Sequence, residues 1–103
     1  MSRARRWAAR VTLARARTAH RLAGTPWRTN ASVPAAELRR RWPLPRAVLG
    51  PLDAPLRQGR LTARGLASVV RVAWTLADLS GRPHPIRDDV LDALYLRTGV
   101  ARR

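Results

Sequence analysis

Of the 103 residues, 21 are basic and 6 acidic, giving a net charge of +15, and none is cysteine. A chain this long supports one domain, residues 1–103, with a modest core. The missing thiols exclude disulfides and thiolate metal sites and fit a reducing cytosol. Hydrophobic residues make up 46%, too many for a chain kept unfolded by composition.

Every basic residue is arginine; there is no lysine. A GC-rich genome writes arginine in place of lysine, and that accounts for the missing lysine. The positive excess is a separate matter, because arginine binds phosphate bidentately and this charge draws in polyanions. No apolar run is long enough to span a bilayer. The basic start Met1–Trp7 is not followed by an apolar leader core or a cleavage site, so the expected location is the cytoplasm.

In chain order, the first predicted element is a helix from about Ser2 to Leu22, within a basic N-terminal segment 1–24. It is rich in Ala and Arg, both good helix formers. Trp7, Val11, Ala14, Thr18 and Leu22 recur at helical spacing as a narrow apolar seam. Arg3, Arg6, Arg10, Arg17 and Arg21 crowd the other faces with no acid to offset them. Such a helix repels itself and calls for a neighbour, either nucleic acid or an acidic protein surface. Gly24-Thr25-Pro26 ends it. A loop follows, then a short helix capped by Ser32, with Pro34 in its first turn, running to about Trp42.

A third stretch, Arg46 to Gln58, is broken by Gly50-Pro51 and Pro55 into two short turns or one kinked helix. The fourth is the clearest. Thr62 is a good N-cap, and the helix runs to about Leu79 before Gly81 and Pro83. Leu66, Val69, Val70, Ala73, Leu76 and Ala77 form its apolar face. Arg64, Ser68, Arg71, Thr75 and Asp78 form a polar stripe, with Trp74 on the border. The last helix begins near Pro85 and runs to about Arg97, with Ile86, Val90, Ala93 and Leu94 as its stripe. Asp88 and Asp89 open it and Arg97 closes it, as the helix dipole favours. The tail 100–103 is expected to fray. No segment alternates like a strand. The fold class is therefore all-α, a small bundle of four to five helices.

The chemistry is defined first by what is missing. A phosphate-binding P-loop needs a lysine, so this chain cannot carry one. It also lacks an apolar strand ending in paired acids, the usual magnesium holder. None of Ser2, Ser32, Ser68 and Ser80 sits in a nucleophile elbow. His20 and His84 lack metal-ligand spacing and read as solvated or capping residues. Asp88, Asp89 and Asp92 read as a capped, solvated helix start, so no metal site is expected. The one positive feature is Leu61-Thr62-Ala63-Arg64-Gly65. Behind a Thr62 cap, Arg64 falls in the first helical turn. A cation there opposes the helix dipole at a cost of about 0.3–1 kcal/mol. The placement makes sense where an anion binds, since backbone N–H groups and a guanidinium then converge on one phosphate.

The run Leu61-Thr-Ala-Arg-Gly-Leu-Ala-Ser-Val-Val-Arg-Val-Ala-Trp-Thr-Leu-Ala-Asp-Leu-Ser-Gly81 closely resembles the "LSARG…RVLRVARTIADLAG" segment in the C-terminal domain of magnesium-chelatase-like AAA+ ATPases of the ComM, or YifB, competence type. Thr25-Pro-Trp-Arg-Thr-Asn30 and Glu37-Leu-Arg-Arg-Arg-Trp-Pro-Leu44 look like the loop and short helix of actinobacterial members. Ala14-Arg15 and Arg21 match the family's first lid helix. Asp89-Val-Leu-Asp-Ala-Leu-Tyr-Leu-Arg97 is similar to its closing "HV-x-EAL-x-YR".

The resemblance implies a helical lid that closes over ATP bound by an AAA+ core. The family's "SAR" arginine resembles a sensor-2 residue touching the γ-phosphate, and here that position is Arg64. Arg71 matches a second recurrent arginine, with packing or a subunit or nucleotide contact as its expected role. ComM-type proteins form hexameric rings implicated in DNA branch migration. The implied partners are therefore an AAA+ core of a parent or neighbouring subunit, further ring copies, and DNA, with no membrane. ATP and Mg²⁺ enter only through that core, which lies outside these 103 residues, so the chain is not expected to be an enzyme alone. The alternative is a stand-alone arginine-rich nucleic-acid-binding module. In it Arg3, Arg6, Arg10 and Arg17 meet phosphates, and Trp7, Trp27 and Trp42 stack on bases. Packing is the preferred role for those tryptophans.

Overall fold

The computed structural model describes residues 2–99. Helix α1 spans Arg3–Arg21, and a 3₁₀ turn at Asn30–Ser32 leads to α2, Ala35–Arg41. The proline-broken stretch comprises α3, Arg46–Leu49, a 3₁₀ turn at Gly50–Leu52, and α4, Asp53–Arg57. Two longer helices follow, α5 at Ala63–Ser80 and α6 at Arg87–Thr98. The described residues contain no strand, and these six α-helices, with α3 and α4 in one broken stretch, form the expected all-α bundle.

The caps follow from the sequence. Ser2 accepts from the Arg5 N–H at 3.2 Å to open α1, and Thr62 accepts from the Gly65 N–H at 3.1 Å to open α5. Gly81 ends α5 in the left-handed region at φ +77°. The same position has a second need for glycine, since a Cβ there would lie 3.2 Å from Nη2 of Arg17. Pro51 enters through the 3₁₀ turn, and Pro55 sits in the first turn of α4, where its missing N–H costs no helix bond.

Two helices start later than their sequence signals suggest. Ser32 does not cap α2; its hydroxyl accepts from the Thr29 N–H instead, closing the 3₁₀ turn, and Pro34 is the N-cap of α2. Helix α6 starts at Arg87, not Pro85, because the Asp89 carboxylate takes up the Ile86 N–H at 2.9 Å and makes Ile86 the cap. Ile86 is accordingly exposed and leaves the apolar stripe. The tail 100–103 lies outside the described residues.

Helix α5 runs through the middle, apolar on two sides. One side packs Val69 and Ala73 with Leu52, Leu61, Val90 and Ala93. The other presents Trp74 to Leu22, Val33 and Leu38, with Trp27, Trp42 and Leu44 packed around them. Helix α1 packs on α5 through its second half only. Ala14 and Leu22 are buried, whereas Trp7 is 53% exposed. The expected seam therefore stops short of Trp7, and packing does not claim that tryptophan. No described helix is long and apolar enough to cross a membrane.

Candidate functional site: the ends of the central helix

The first turn of α5 contains no acid. Arg64 is exposed there, two residues beyond the Thr62 cap. Gly65 is buried in the same turn. A Cβ on it would come within 2.8 Å of Leu61 Cδ1 and 3.0 Å of Arg97 Nε. Glycine thus opens a notch in which the Arg97 side chain lies along the start of α5. Arg60, which donates to the Gln58 side-chain oxygen, precedes the cap. One further guanidinium, that of Arg97, therefore stands close to the turn that carries Arg64. Sequence reasoning placed Arg97 only as a cation closing α6. The signal it passed over was Gly65, a residue that costs an interior helix roughly 0.5–1 kcal/mol relative to Ala and so needs a spatial reason.

At the opposite end of α5, the structure reverses one expectation. Asp78 belongs to the polar stripe of α5, yet it is 1% exposed. Helix α1 crosses here, and its Arg21 grips the carboxylate with both Nη atoms, at 2.7 and 2.8 Å. The Thr18 hydroxyl donates at 2.7 Å and the Asn30 amide at 3.1 Å. Arg21 also donates to the Asn30 side-chain oxygen at 2.6 Å and stands over the Trp74 ring, 4.3 Å from its centroid. Asn30 donates to Thr75 at 3.0 Å. The network thus joins α1, the 3₁₀ turn and α5. It also supplies the neighbour that the all-basic helix lacked in sequence.

Burial pushes the Asp78 carboxyl up, but the hydrogen bonds of Arg21, Thr18 and Asn30, with the charge of Arg21, outweigh it and hold it below the ordinary 3.8. A depressed folded value means the carboxylate contributes stability above its unfolded pKa and loses that contribution as pH falls through the folded value. Urea unfolding at a series of pH values from 7 to 2 should therefore show stability falling below about pH 4. An Asp78→Asn variant should show a shallower fall; an equal fall in both would remove Asp78 from the account.

The other candidate residues separate into two groups. Arg17 donates to the Asp78 carbonyl at 2.6 Å, a cation at the C-terminal end of α5 where the dipole favours it. Arg71 donates through Nε to the Val33 carbonyl at 2.9 Å, tying the loop before α2 to α5. Both work inside the fold. Arg3, Arg6 and Arg10 lie on the exposed first half of α1, where the Arg10 guanidinium stands 5.2 Å from the Trp7 ring centroid. Trp27 and Trp42 are half-buried, and Arg41 stands over Trp27 at 5.1 Å. Asp89 is buried against Arg82, not solvated. No group of three or more metal-ligating side chains forms among the described residues.

Residues 2–97 match the family model described as the C-terminal part of magnesium chelatase, subunit ChlI. Proteins described as uncharacterized from Mycobacterium bovis and from two Mycobacterium tuberculosis strains are each 45% identical over 94 residues, covering 91% of this chain and 19% of theirs. The chain thus spans about a fifth of the length of those relatives. No solved structure matches it. With nearly all its length matched and an all-helical bundle around α5, the chain belongs to the magnesium chelatase ChlI C-terminal family, a helical lid domain of AAA+ proteins.

Proposed function

We propose that this lid serves a ComM-type AAA+ ATPase of actinobacterial kind and that Arg64 is its sensor-2-like arginine, meeting the ATP γ-phosphate. The supporting observation is the exposed Arg64 in an acid-free first turn of α5, behind the Thr62 cap. Backbone N–H groups and a guanidinium there are set for one phosphate. ATP and Mg²⁺ are held by the AAA+ core, in cis or from a neighbouring copy in a cytoplasmic ring, and this lid couples turnover to remodelling of branched DNA. Arg71, bonded to Val33, has the packing role. The test is ATP turnover by the Arg64→Ala form of a longer protein carrying the core.

A second reading, a nucleic-acid-binding module, has its own support. Trp7 is 53% exposed, carries Arg10 over its ring, and shares the exposed half of α1 with Arg3 and Arg6. An exposed indole among guanidiniums suits a single strand, where stacking contributes about 1–3 kcal/mol per base. On this reading the chain binds single-stranded DNA below micromolar at physiological salt with a steep salt slope, and Trp7→Ala weakens it about tenfold or more. Binding that vanishes at physiological salt, or is indifferent to Trp7, rejects it.

A further inference from the structure

The cleft between α1 and the C-terminal end of α5 lies outside the Arg64 reading, roughly 25 Å along the helix from that residue. It encloses about 620 Å³, with Leu13, Arg17 and His20 along one wall and Trp42, Trp74 and Pro83 among the residues of the others. We propose that it docks a protein segment presenting a large apolar side chain flanked by carboxylates.

Leu13 lines the cleft and is 53% exposed, although it stands on a helix whose next turn is packed. Trp42 and Pro83 continue the apolar lining. An aliphatic side chain entering here removes apolar surface on both partners from water.

Four basic side chains line the cleft: Arg17, His20, Arg21 and Arg82. Arg21 is neutralised by Asp78, and Arg82 by Asp89. Arg17 has no carboxylate partner among the described residues; it donates to a backbone carbonyl, which accepts a hydrogen bond but carries no charge. Its guanidinium is also fixed in place, held by that carbonyl and lying in the space that a Cβ on Gly81 would crowd at 3.2 Å. A pre-set guanidinium with donors to spare matches the fork of a carboxylate, and little side-chain freedom is lost on pairing. His20 lies one turn further on and is exposed.

A nucleic acid fits this cleft less well. Trp74 is 3% exposed and covered by Arg21, so it offers no open ring for stacking. One uncompensated arginine suits one or two carboxylates better than a run of phosphates, for which the first turns of α1 are the better match. The net charge of +15 speeds encounter with an acidic protein surface.

The test is a ¹⁵N NMR titration of the whole chain with the acetylated, amidated peptide EELLEE at physiological salt. The buried indole N–H of Trp74, which has no acceptor among the described residues, is a built-in reporter. The expected result is saturable shifts at Leu13, His20 and the Trp74 indole. Binding should be about tenfold weaker for the peptide KKLLKK and for the Leu13→Glu chain, whose exposed position leaves the fold intact. His20→Glu is the second variant, with the same expected loss. Three results would overturn the proposal: no shifts in the cleft, shifts confined to the first half of α1, or displacement of the peptide by an oligothymidine.

Discussion

Replacing Asp78 by alanine is expected to cost about 3–5 kcal/mol of stability, because it strands a buried cation. Arg21 is 13% exposed at its side chain and stacked on Trp74, so it cannot turn to water without opening the α1–α5 contact. Thr18 and Asn30 lose an acceptor at the same time. A domain of this size has roughly 5–15 kcal/mol in total, so the variant stands near the edge of folding. At about 4–8 °C per kcal/mol, its melting temperature at neutral pH should fall by more than about 10 °C. A loss below about 1 kcal/mol would mean that the network is ornamental. Removing both charges gives a different outcome. Arg21→Met combined with Asp78→Leu should recover much of the loss, since neither charge is left buried alone.

The second large effect concerns chemistry rather than folding. Arg64 is exposed, so Arg64→Ala should leave the melting temperature of the chain within a few degrees of the original. Joined to an ATPase core, the same change should lower the turnover number about 10²–10³-fold, the usual cost of deleting one preorganised group that stabilises transition-state charge. ATP affinity should change less, because a γ-phosphate contact that strengthens in the transition state acts mainly on the turnover number. Lysine at this position should rescue only part, since a point charge lacks the planar fork.

These expectations rest unequally on what the sequence alone disclosed. Helix α5 was legible from end to end, because Thr62, the apolar period and Gly81 are all local signals that agree. The broken stretch around Pro51 and Pro55 was legible as a break, and the structure resolved it into α3, a 3₁₀ turn and α4. Asp78 was misread because helical period alone puts it on the polar side, and only the crossing of α1 turns that side inward. Trp7 was misread for the converse reason: it keeps the period of the seam, but α1 outruns the helix it packs on. The start of α6 slipped by two residues because the Asp89 side chain, two residues into the helix, decides where the cap falls. The position of Arg64 behind a cap is a local signal, and the structure places it exposed in that turn. The approach of Arg97 to Gly65 is not local, because it joins two helices far apart in sequence. Local patterns named the elements, while the contacts between α1, α5 and α6 decided which polar residues are structural.

Steady-state ATP turnover at saturating ATP, in a longer protein that joins this domain to its AAA+ core, tests the assignment of Arg64 most directly. Arg57→Ala serves as the control, because Arg57 is also exposed but lies on α4, outside the capped turn that carries Arg64. The expected result is a turnover number reduced about 10²-fold or more by Arg64→Ala and nearly unchanged by Arg57→Ala, with both proteins folded. Turnover that survives the loss of Arg64 as well as it survives the loss of Arg57 would contradict the sensor-2 role.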